Sequence, residues 1–336
     1  MNTVPGTVLA TMPDVNLPPL TVAKMLTSWT LDPAMVLPIV AAGALYLWGV
    51  RTLRRRGDVW ERSRTVYWFV GLSIIFVAVS SALGVYDRVL FSVPAIQHML
   101  LQMIAPVPLA LGAPMRLAMR TLPKRGRVVL LAVVHSPLAR FVAHPAIAFT
   151  LFSVSQFVFY YTPIYDWSLT NVWAHDLSHV HFVLVGFLFY WSLLGVDPVP
   201  HRPPFVFRFV MVVGLGPVHI LLGIPIMMMA TLISDFYVDA GSRSWGPSPL
   251  VDQQIGGGIL WGFGDLAAAV LIGAFLRQWY RSDEREARRM DRRLDRAHGE
   301  ASTVTPWWLL EQGDKSADLL GPQRDSERPN QRKRSL

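Results

Sequence analysis

Long apolar runs recur along most of this chain. Most of them hold about 18–23 residues, which is enough for a helix rising about 1.5 Å per residue to cross a hydrocarbon layer of roughly 30 Å. Backbone polar groups find no partners in hydrocarbon, so the chain must be helical in these segments. We predict seven spans, at 33–51, 65–84, 94–112, 144–162, 173–195, 205–234 and 255–277.

The composition agrees with a membrane protein. Of the 336 residues, 52% are hydrophobic and 16% are charged, whereas soluble domains carry about 25% charged residues. The predicted fold class is therefore all-α, a polytopic bundle of seven transmembrane helices. We expect an extracytoplasmic N-terminal arm at 1–32, the bundle at 33–277, a charged cytoplasmic helix at 278–298 with an i,i+4 pair of Glu284 and Arg288, and a largely disordered cytoplasmic tail at 299–336.

The basic residues predict an orientation. All of the 31 Lys and Arg residues except Lys24, Arg88 and Arg243 fall on one side of the seven-span topology. The positive-inside rule assigns that side to the cytoplasm, so the N-terminus lies outside and the C-terminus inside. Because the rule accounts for the net charge of +8, we expect contact with membrane lipid and no nucleic-acid partner.

Several kinds of chemistry are excluded or unsupported. The chain contains no cysteine, which excludes disulfides and thiolate metal sites. Soft-metal chemistry would have to use histidine and methionine. The sequence shows neither a nucleophile–base signature nor a phosphate-binding loop, so we do not expect an enzyme.

Histidines gather at the predicted outer ends of separate spans. His175 and His179 are i and i+4 on the fifth span, so they share one helix face, while His181 projects elsewhere. His98 lies roughly 6 Å inside the third span, at a similar depth. Asp252 precedes the seventh span on the same side of the membrane. These residues predict a metal site in the outer half of the bundle.

A second polar layer is predicted near the membrane centre. His219 lies inside the sixth span and Asp265 inside the seventh. A carboxylate at that depth costs about 2.5–3.5 kcal/mol on insertion scales, so Asp265 must find a partner or become protonated, and His219 is the candidate partner nearest in depth. Met99 and Met103 are further candidate donors, because thioether and imidazole together suit Cu(I).

Five motifs occur in order across the spans, and together they resemble one family. They are QHMLLQMIAPVPLALGAP (97–114), the His144-Pro145 pair, HDLSHVHFVLVGFLFYWSLLGVDP (175–198), GPVHILLGIPIM (216–227) and DQQIGGGILWGFGDL (252–266). With these residues the chain resembles the multi-spanning CtaG family of bacterial cytochrome c oxidase assembly factors, over about 30–280. Two positions depart from the family pattern: Gln102, where histidine is frequent, and Asp265, where glutamate is more frequent.

The resemblance implies a role in building a haem–copper oxidase in the bacterial plasma membrane, with copper as cargo. The expected partners are oxidase subunits and an extracytoplasmic copper donor. Our hypothesis is that His98, His175 and His179 bind copper in the outer half of the bundle. His219, Asp252 and Asp265 would support it, and His181, Met99 and Met103 are weaker candidates.

Three alternatives remain open from the residues. Histidines on different spans at matched depth could hold a haem through two axial imidazoles, in a membrane redox protein. The interrupted sixth span and Asp265 could instead form the midplane site of a metal or proton transporter. In a purely structural scaffold, the histidines would only form hydrogen bonds.

Overall fold

The computed structural model describes residues 17–197, 204–240 and 243–298. Within these ranges the chain is helical and contains no strand, so the all-α prediction is confirmed for them. Residues 1–16 of the predicted arm and the whole of the predicted disordered tail, 299–336, lie outside the described residues.

Five stretches are long and apolar enough to cross a membrane. They comprise helix α2 (Pro33–Arg55), α3 with α4 (Arg62–Ser80 and Ala82–Tyr86), α5 with a π-helix and α6 (Ser92–His98, Met99–Ile104 and Pro106–Leu111), α12 (Val172–Leu194) and α13 (Phe205–Met228). A bent pair, α10 (Pro145–Tyr161) and α11 (Ile164–Thr170), is a sixth candidate span. The predicted seventh span lies within α15 (Pro249–His298), and the count of seven and the orientation stay predictions.

Shorter helices connect these stretches. Helix α1 precedes the first long helix, α7 to α9 lie between the third and fourth stretches, and α14 precedes α15. Their bounds are Val22–Thr27 (α1), Pro114–Thr121 (α7), Lys124–Val134 (α8), Pro137–Val142 (α9) and Phe236–Ala240 (α14).

Side chains that accept hydrogen bonds from free N–H groups mark where two long helices begin. The carboxylate of Asp32 accepts from the backbone N–H of Ala34 at 2.8 Å, immediately before α2. The side-chain oxygen of Asn171 accepts from the N–H of Ala174 at 3.2 Å and starts α12. Such caps satisfy donors that have no partner inside the helix. Helix α12 therefore begins one turn before His175.

The third span is not a single regular α-helix. Residues Met99–Ile104 form a π-helix, in which the N–H of Ala105 bonds to the carbonyl of Leu100 at 2.8 Å. Pro106 has no N–H to offer to the carbonyl of Gln102, so regular α-helical bonding is interrupted there. The widened turn holds Gln102 in the core, where it is fully buried.

The predicted sixth span ends earlier than expected, and the fourth is followed by a sharp bend. Helix α10 ends at Tyr161 and the chain bends by 68° into α11, because a residue before proline, here Thr162, is disfavoured in the α conformation. Helix α13 ends at Met228 rather than 234. The side chain of Gln253 donates to the carbonyl of Thr231 at 3.1 Å and accepts from the N–H of Ile233 at 2.7 Å, which satisfies the extended segment that follows.

Helix α12 occupies the centre of the first compact unit, Met1–Phe275. It packs against α6, α10, α11 and the π-helix. Buried aromatic rings fill these contacts: Phe152 lies 4.9 Å from Phe189, and Phe159 lies 4.9 Å from Phe182, between ring centroids. The histidines of α12 are thus carried by a helix that packs against four neighbouring elements.

The second unit, Leu276–Leu336, is described only through the charged helical residues 276–298. In it the guanidinium of Arg288 donates to the carboxylate of Glu284 at 2.6 Å. This confirms the i,i+4 pair that the sequence predicted.

Candidate metal centre

Three side chains meet near the first turns of α12. One ligand atom each from Asp87, His175 and His179 lies within 4.8 Å of the other two. The ring centroids of His175 and His179 are 4.6 Å apart, as expected for imidazoles at i and i+4 on one helix face. Two imidazoles and a carboxylate at this separation can surround a single cation.

The carboxylate comes from the turn that follows α4. Asp87 accepts a hydrogen bond at 3.4 Å from the side-chain amide of Gln97 on α5, which also donates to the carbonyl of Ala78 on α3 at 3.0 Å. The Nε2 atom of His175 lies 3.0 Å from Oδ2 of Asp87. At this distance a proton or a metal ion can bridge the imidazole and the carboxylate.

The electrostatics keep Asp87 anionic. Burial raises the pKa of its carboxyl, but the charge and the hydrogen bond of His175 together with the neighbouring His179 and Arg88 lower it by more. The pKa of Asp87 therefore lies below its ordinary value, and the group is a carboxylate at neutral pH. A buried anion beside two imidazoles favours a cation between them.

His179 contributes a buried nitrogen without a partner. The side chain is 8% exposed, and its Nδ1 atom has no hydrogen-bond partner among the described residues. An unsatisfied buried polar atom costs about 1–3 kcal/mol. Coordination of a cation would remove that cost.

A cleft of about 330 Å³ opens beside the three ligands. Acidic and basic side chains line its walls together with one methionine. Those polar and soft lining residues are Thr30, Asp32, Met35, Arg88 and Asp176. The cleft gives an ion a path to the cluster from the end of the bundle that we predict to be outside.

His98 lies beside the cluster but is engaged elsewhere. It lines one small cavity together with His175 and His179. Its Nδ1 is 3.2 Å from the hydroxyl of Tyr160, and its Nε2 contacts the side-chain oxygen of Gln102. Both ring nitrogens are thus occupied, which makes His98 a neighbour of the three-residue group rather than part of it.

The weaker candidates lie apart from the cluster. His181 is exposed, and its ring contacts Phe182. Met99 and Met103 are fully buried in the main hydrophobic core. His181 does not belong to the group of three ligands found among the described residues.

The two residues predicted for the deeper layer, His219 and Asp265, share no hydrogen bond in the described part of the chain. His219 is fully buried, its Nδ1 donates to the carbonyl of Leu215 at 2.8 Å, and its Nε2 has no partner among the described residues. Asp265 lies close enough to interact with it electrostatically. A Cβ added to Gly264 would overlap the ring of His219, so α15 approaches α13 closely at this point.

Asp252 binds the start of α5. It accepts from the hydroxyl of Ser92 at 2.6 Å and from the backbone N–H of Ser92 at 3.3 Å. These bonds satisfy N–H groups at a helix start, so the contacts of Asp252 are those of a cap.

Replacing Asp252 with alanine is expected to lower the free energy of unfolding by about 1 kcal/mol, the usual cost of a lost cap. Copper bound per protein should stay at the wild-type value. A detergent unfolding curve and metal analysis on the same sample measure both quantities. If the variant folds but loses copper, Asp252 is a ligand after all.

The sequence reasoning missed Asp87. It stands in YDRVLFSVPAIQH, at the predicted outer end of the second span, and it is one of few acidic residues at that depth. Depth alone could have brought it beside His175. What the sequence did not reveal is that the turn after α4 directs this carboxylate toward α12.

Comparison with known proteins connects the chain to one family. Residues 44–282 match the family described as cytochrome c oxidase caa3 assembly factor (Caa3_CtaG). An uncharacterized protein of Mycobacterium bovis is 36% identical over 284 residues, covering 82% of this chain and 43% of that protein. An uncharacterized protein of Mycobacterium leprae is 34% identical over 289 residues, covering 84% and 44%. No solved structure gives a significant match.

The chain spans less than half the length of these curated relatives. The family match covers the helices from α3 to α13. The matches to these relatives are long enough that they must cover the same helices.

Proposed function

Because the chain belongs to the Caa3_CtaG family of cytochrome c oxidase assembly factors, we propose that it binds copper at Asp87, His175 and His179 and aids its delivery to the oxidase. The observation that carries the proposal is the convergence of three ligand atoms within 4.8 Å from segments far apart in sequence. Copper is here the cargo of the protein. The family description points to assembly rather than catalysis.

The donor set supports copper as the ion. Imidazole suits Cu, Zn, Fe and Ni, and among divalent first-row ions copper binds most tightly to a given set of nitrogen and oxygen donors. Asp87 supplies a negative charge, and the free Nδ1 of His179 supplies a buried lone pair. A haem–copper oxidase is a client that needs such an ion.

The partners follow from this role. Several apolar helices make the chain a membrane protein, and we place it in the bacterial plasma membrane. The cleft that reaches Asp87 opens at the predicted outer side, where an extracytoplasmic donor can supply the ion. Oxidase subunits would receive it. We propose that His219 and Asp265, which lie deeper, provide a second position for the ion or support the helices.

The haem alternative receives less support from the site. That alternative pairs histidines on different spans, His98 with His175 or His179. Both ring nitrogens of His98, through which it would bind haem iron, already contact other side chains, Nδ1 the hydroxyl of Tyr160 and Nε2 the side-chain oxygen of Gln102. The geometry favours a compact ion.

The double substitution His175→Ala, His179→Ala tests the proposal. Wild-type protein purified in detergent should hold about one copper at this site, and the double variant should hold at least tenfold less. The matched control is His181→Ala, which removes an exposed imidazole from the same helix and should leave the copper content unchanged. Elemental analysis after incubation with Cu, Zn or Fe salts measures the content and the preference. Equal copper in wild type and double variant would refute the ligand assignment.

A further inference from the structure

Helices α8 and α9 lie at the end of the bundle that we predict to be cytoplasmic. The guanidinium of Arg56, which follows α2, donates to the carbonyls of Arg120 and Thr121 at 3.0 and 3.2 Å, and α8 begins shortly after them at Lys124. No residue of 124–142 is buried, although the structure describes all of them. The main contacts of α8 and α9 are with the elements next to them in the chain, α7 and α10, and with each other. Most of the surface of this helix pair is therefore left uncovered by the rest of the described protein.

The uncovered surface is apolar over a wide arc. Successive residues of an α-helix are about 100° apart, so the exposed aliphatic residues of α8 spread over about 200° of its circumference. A helix that packs on one neighbour presents an apolar stripe of roughly 100°, which is half of that arc. The acyl region at the margin of a bilayer covers such an arc as a whole. The exposed apolar residues of the two helices are Val128, Val129, Leu131, Val133, Leu138 and Phe141.

The same part of the chain is basic and contains no acidic residue. From 114 to 145 there is no Asp or Glu, and the cations are Arg116, Arg120, Lys124, Arg125, Arg127 and Arg140. The cations of α8 and α9 take part in none of the ion pairs found among the described residues. Lys124, Arg125 and Arg127 stand in the first turn of α8, directly before the apolar run 128–134. Basic clusters of this kind on the cytoplasmic side attract the headgroups of anionic phospholipids.

The turn between α8 and α9 satisfies polar groups within the chain. The side-chain oxygen of Ser136 accepts from the N–H of Ala139 at 3.1 Å, where α9 starts. The Nδ1 atom of His135 donates to the carbonyl of Leu131 at 2.9 Å. An apolar environment beside this turn therefore costs less free energy than it would if these groups had no partners.

We propose that α8 and α9 lie in the inner interface of the membrane and bind the headgroups of anionic phospholipids. The apolar arc rests on acyl chains, and headgroup phosphates lie against Lys124, Arg125 and Arg127. Helix α8 has 11 residues and extends over about 16 Å, which is too short to cross the hydrocarbon layer. An orientation along the membrane surface is therefore the one that covers its aliphatic residues. Anionic lipid supplies both the hydrocarbon and the negative charge that this surface lacks, and the inference does not depend on copper.

Cysteine labelling measures where α8 lies, and the absence of cysteine from the chain makes labelling at a single site possible. Val129→Cys is labelled with an environment-sensitive fluorophore, and the full chain is reconstituted in vesicles of phosphatidylcholine and phosphatidylglycerol. Val210→Cys on α13, at a side chain 58% exposed, is the hydrocarbon control, and Ala287→Cys on the charged part of α15 is the aqueous control.

We expect brominated lipid to quench the label at position 129 within about twofold of the label at position 210, and at least threefold more than the label at position 287. Quenching by aqueous iodide to the same degree as at position 287 would overturn the proposal, since α8 would then lie in water. Protection from both quenchers would overturn it as well, because a protein would then cover the helix.

Neutralising the cations tests the headgroup site. With the label at position 129, we expect brominated phosphatidylglycerol to quench at least twofold more than brominated phosphatidylcholine at the same mole fraction, because the cations concentrate anionic lipid. The triple variant Lys124→Gln, Arg125→Gln, Arg127→Gln should lose this preference and still be quenched by both lipids.

The matched control removes the same number of positive charges from α15, in Arg289→Gln, Arg292→Gln, Arg293→Gln. This variant should keep the preference for phosphatidylglycerol at position 129. A preference that survives the loss of the three cations of α8, or that is absent when they are present, would refute the headgroup site.

Discussion

Replacing Asp87 with asparagine is expected to weaken copper binding at least tenfold, a change of about 1.4 kcal/mol in binding free energy. The substitution preserves the size of the side chain but removes the negative charge that faces the two imidazoles. It also takes away the anionic acceptor 3.0 Å from His175 Nε2. Competition with a chromophoric copper chelator measures the affinity.

The matched control for Asp87 is Asp176→Asn. Asp176 is also buried, at 8% exposed, and it lines the same polar cleft. It does not belong to the three-residue group. We expect its affinity to stay within about twofold of wild type. If both variants bind copper as wild type does, Asp87 is not a ligand, and the two histidines must bind the ion alone.

Gly186→Ala is expected to destabilise the bundle by about 1–3 kcal/mol, the usual range for overpacking a well-filled core. A Cβ at Gly186 would overlap the backbone carbonyl oxygen of Gln102 and lie 2.7 Å from the ring of Pro106. These are backbone and ring atoms that have little freedom to move. Helix α12 would be pushed away from the π-helix, and the unfolding temperature in detergent should fall.

The control for Gly186 is Gly262→Ala on α15, where an added Cβ meets nothing within 4 Å. Alanine is a better helix former than glycine by about 1 kcal/mol, so this variant should be as stable as wild type or slightly more stable. The opposite signs of the two changes separate steric overlap from helix propensity. A Gly186→Ala protein as stable as the control would show that the π-helix can shift without cost.

The all-helical class and the pairing of His175 with His179 could be predicted from the sequence, since both depend on local pattern and spacing. Apolar length determines the membrane helices, and i,i+4 spacing brings two side chains to one face. The same local reasoning predicts the ion pair of Glu284 and Arg288, which the structure contains. Such features need no knowledge of how distant segments pack.

The remaining part of the site depends on packing between segments. Asp87 reaches the histidines because Gln97 and the turn after α4 hold it there, and no periodicity in the sequence encodes that contact. The role of His98 depends on Gln102, which lies one turn away on a π-helix that the sequence did not predict. Asp252 was a candidate ligand by depth, yet Ser92 holds it at a helix start.

The cluster joins parts of the chain that are 88 residues apart in sequence, the turn bearing Asp87 and helix α12 bearing His175. A cation held by both acts as a cross-link between them, and a ligand at about a thousand times its dissociation constant stabilises the folded state by about 4 kcal/mol. Loaded and empty carrier would therefore differ in rigidity at this end of the bundle. Under the proposed function, release of the ion would therefore loosen this end of the bundle.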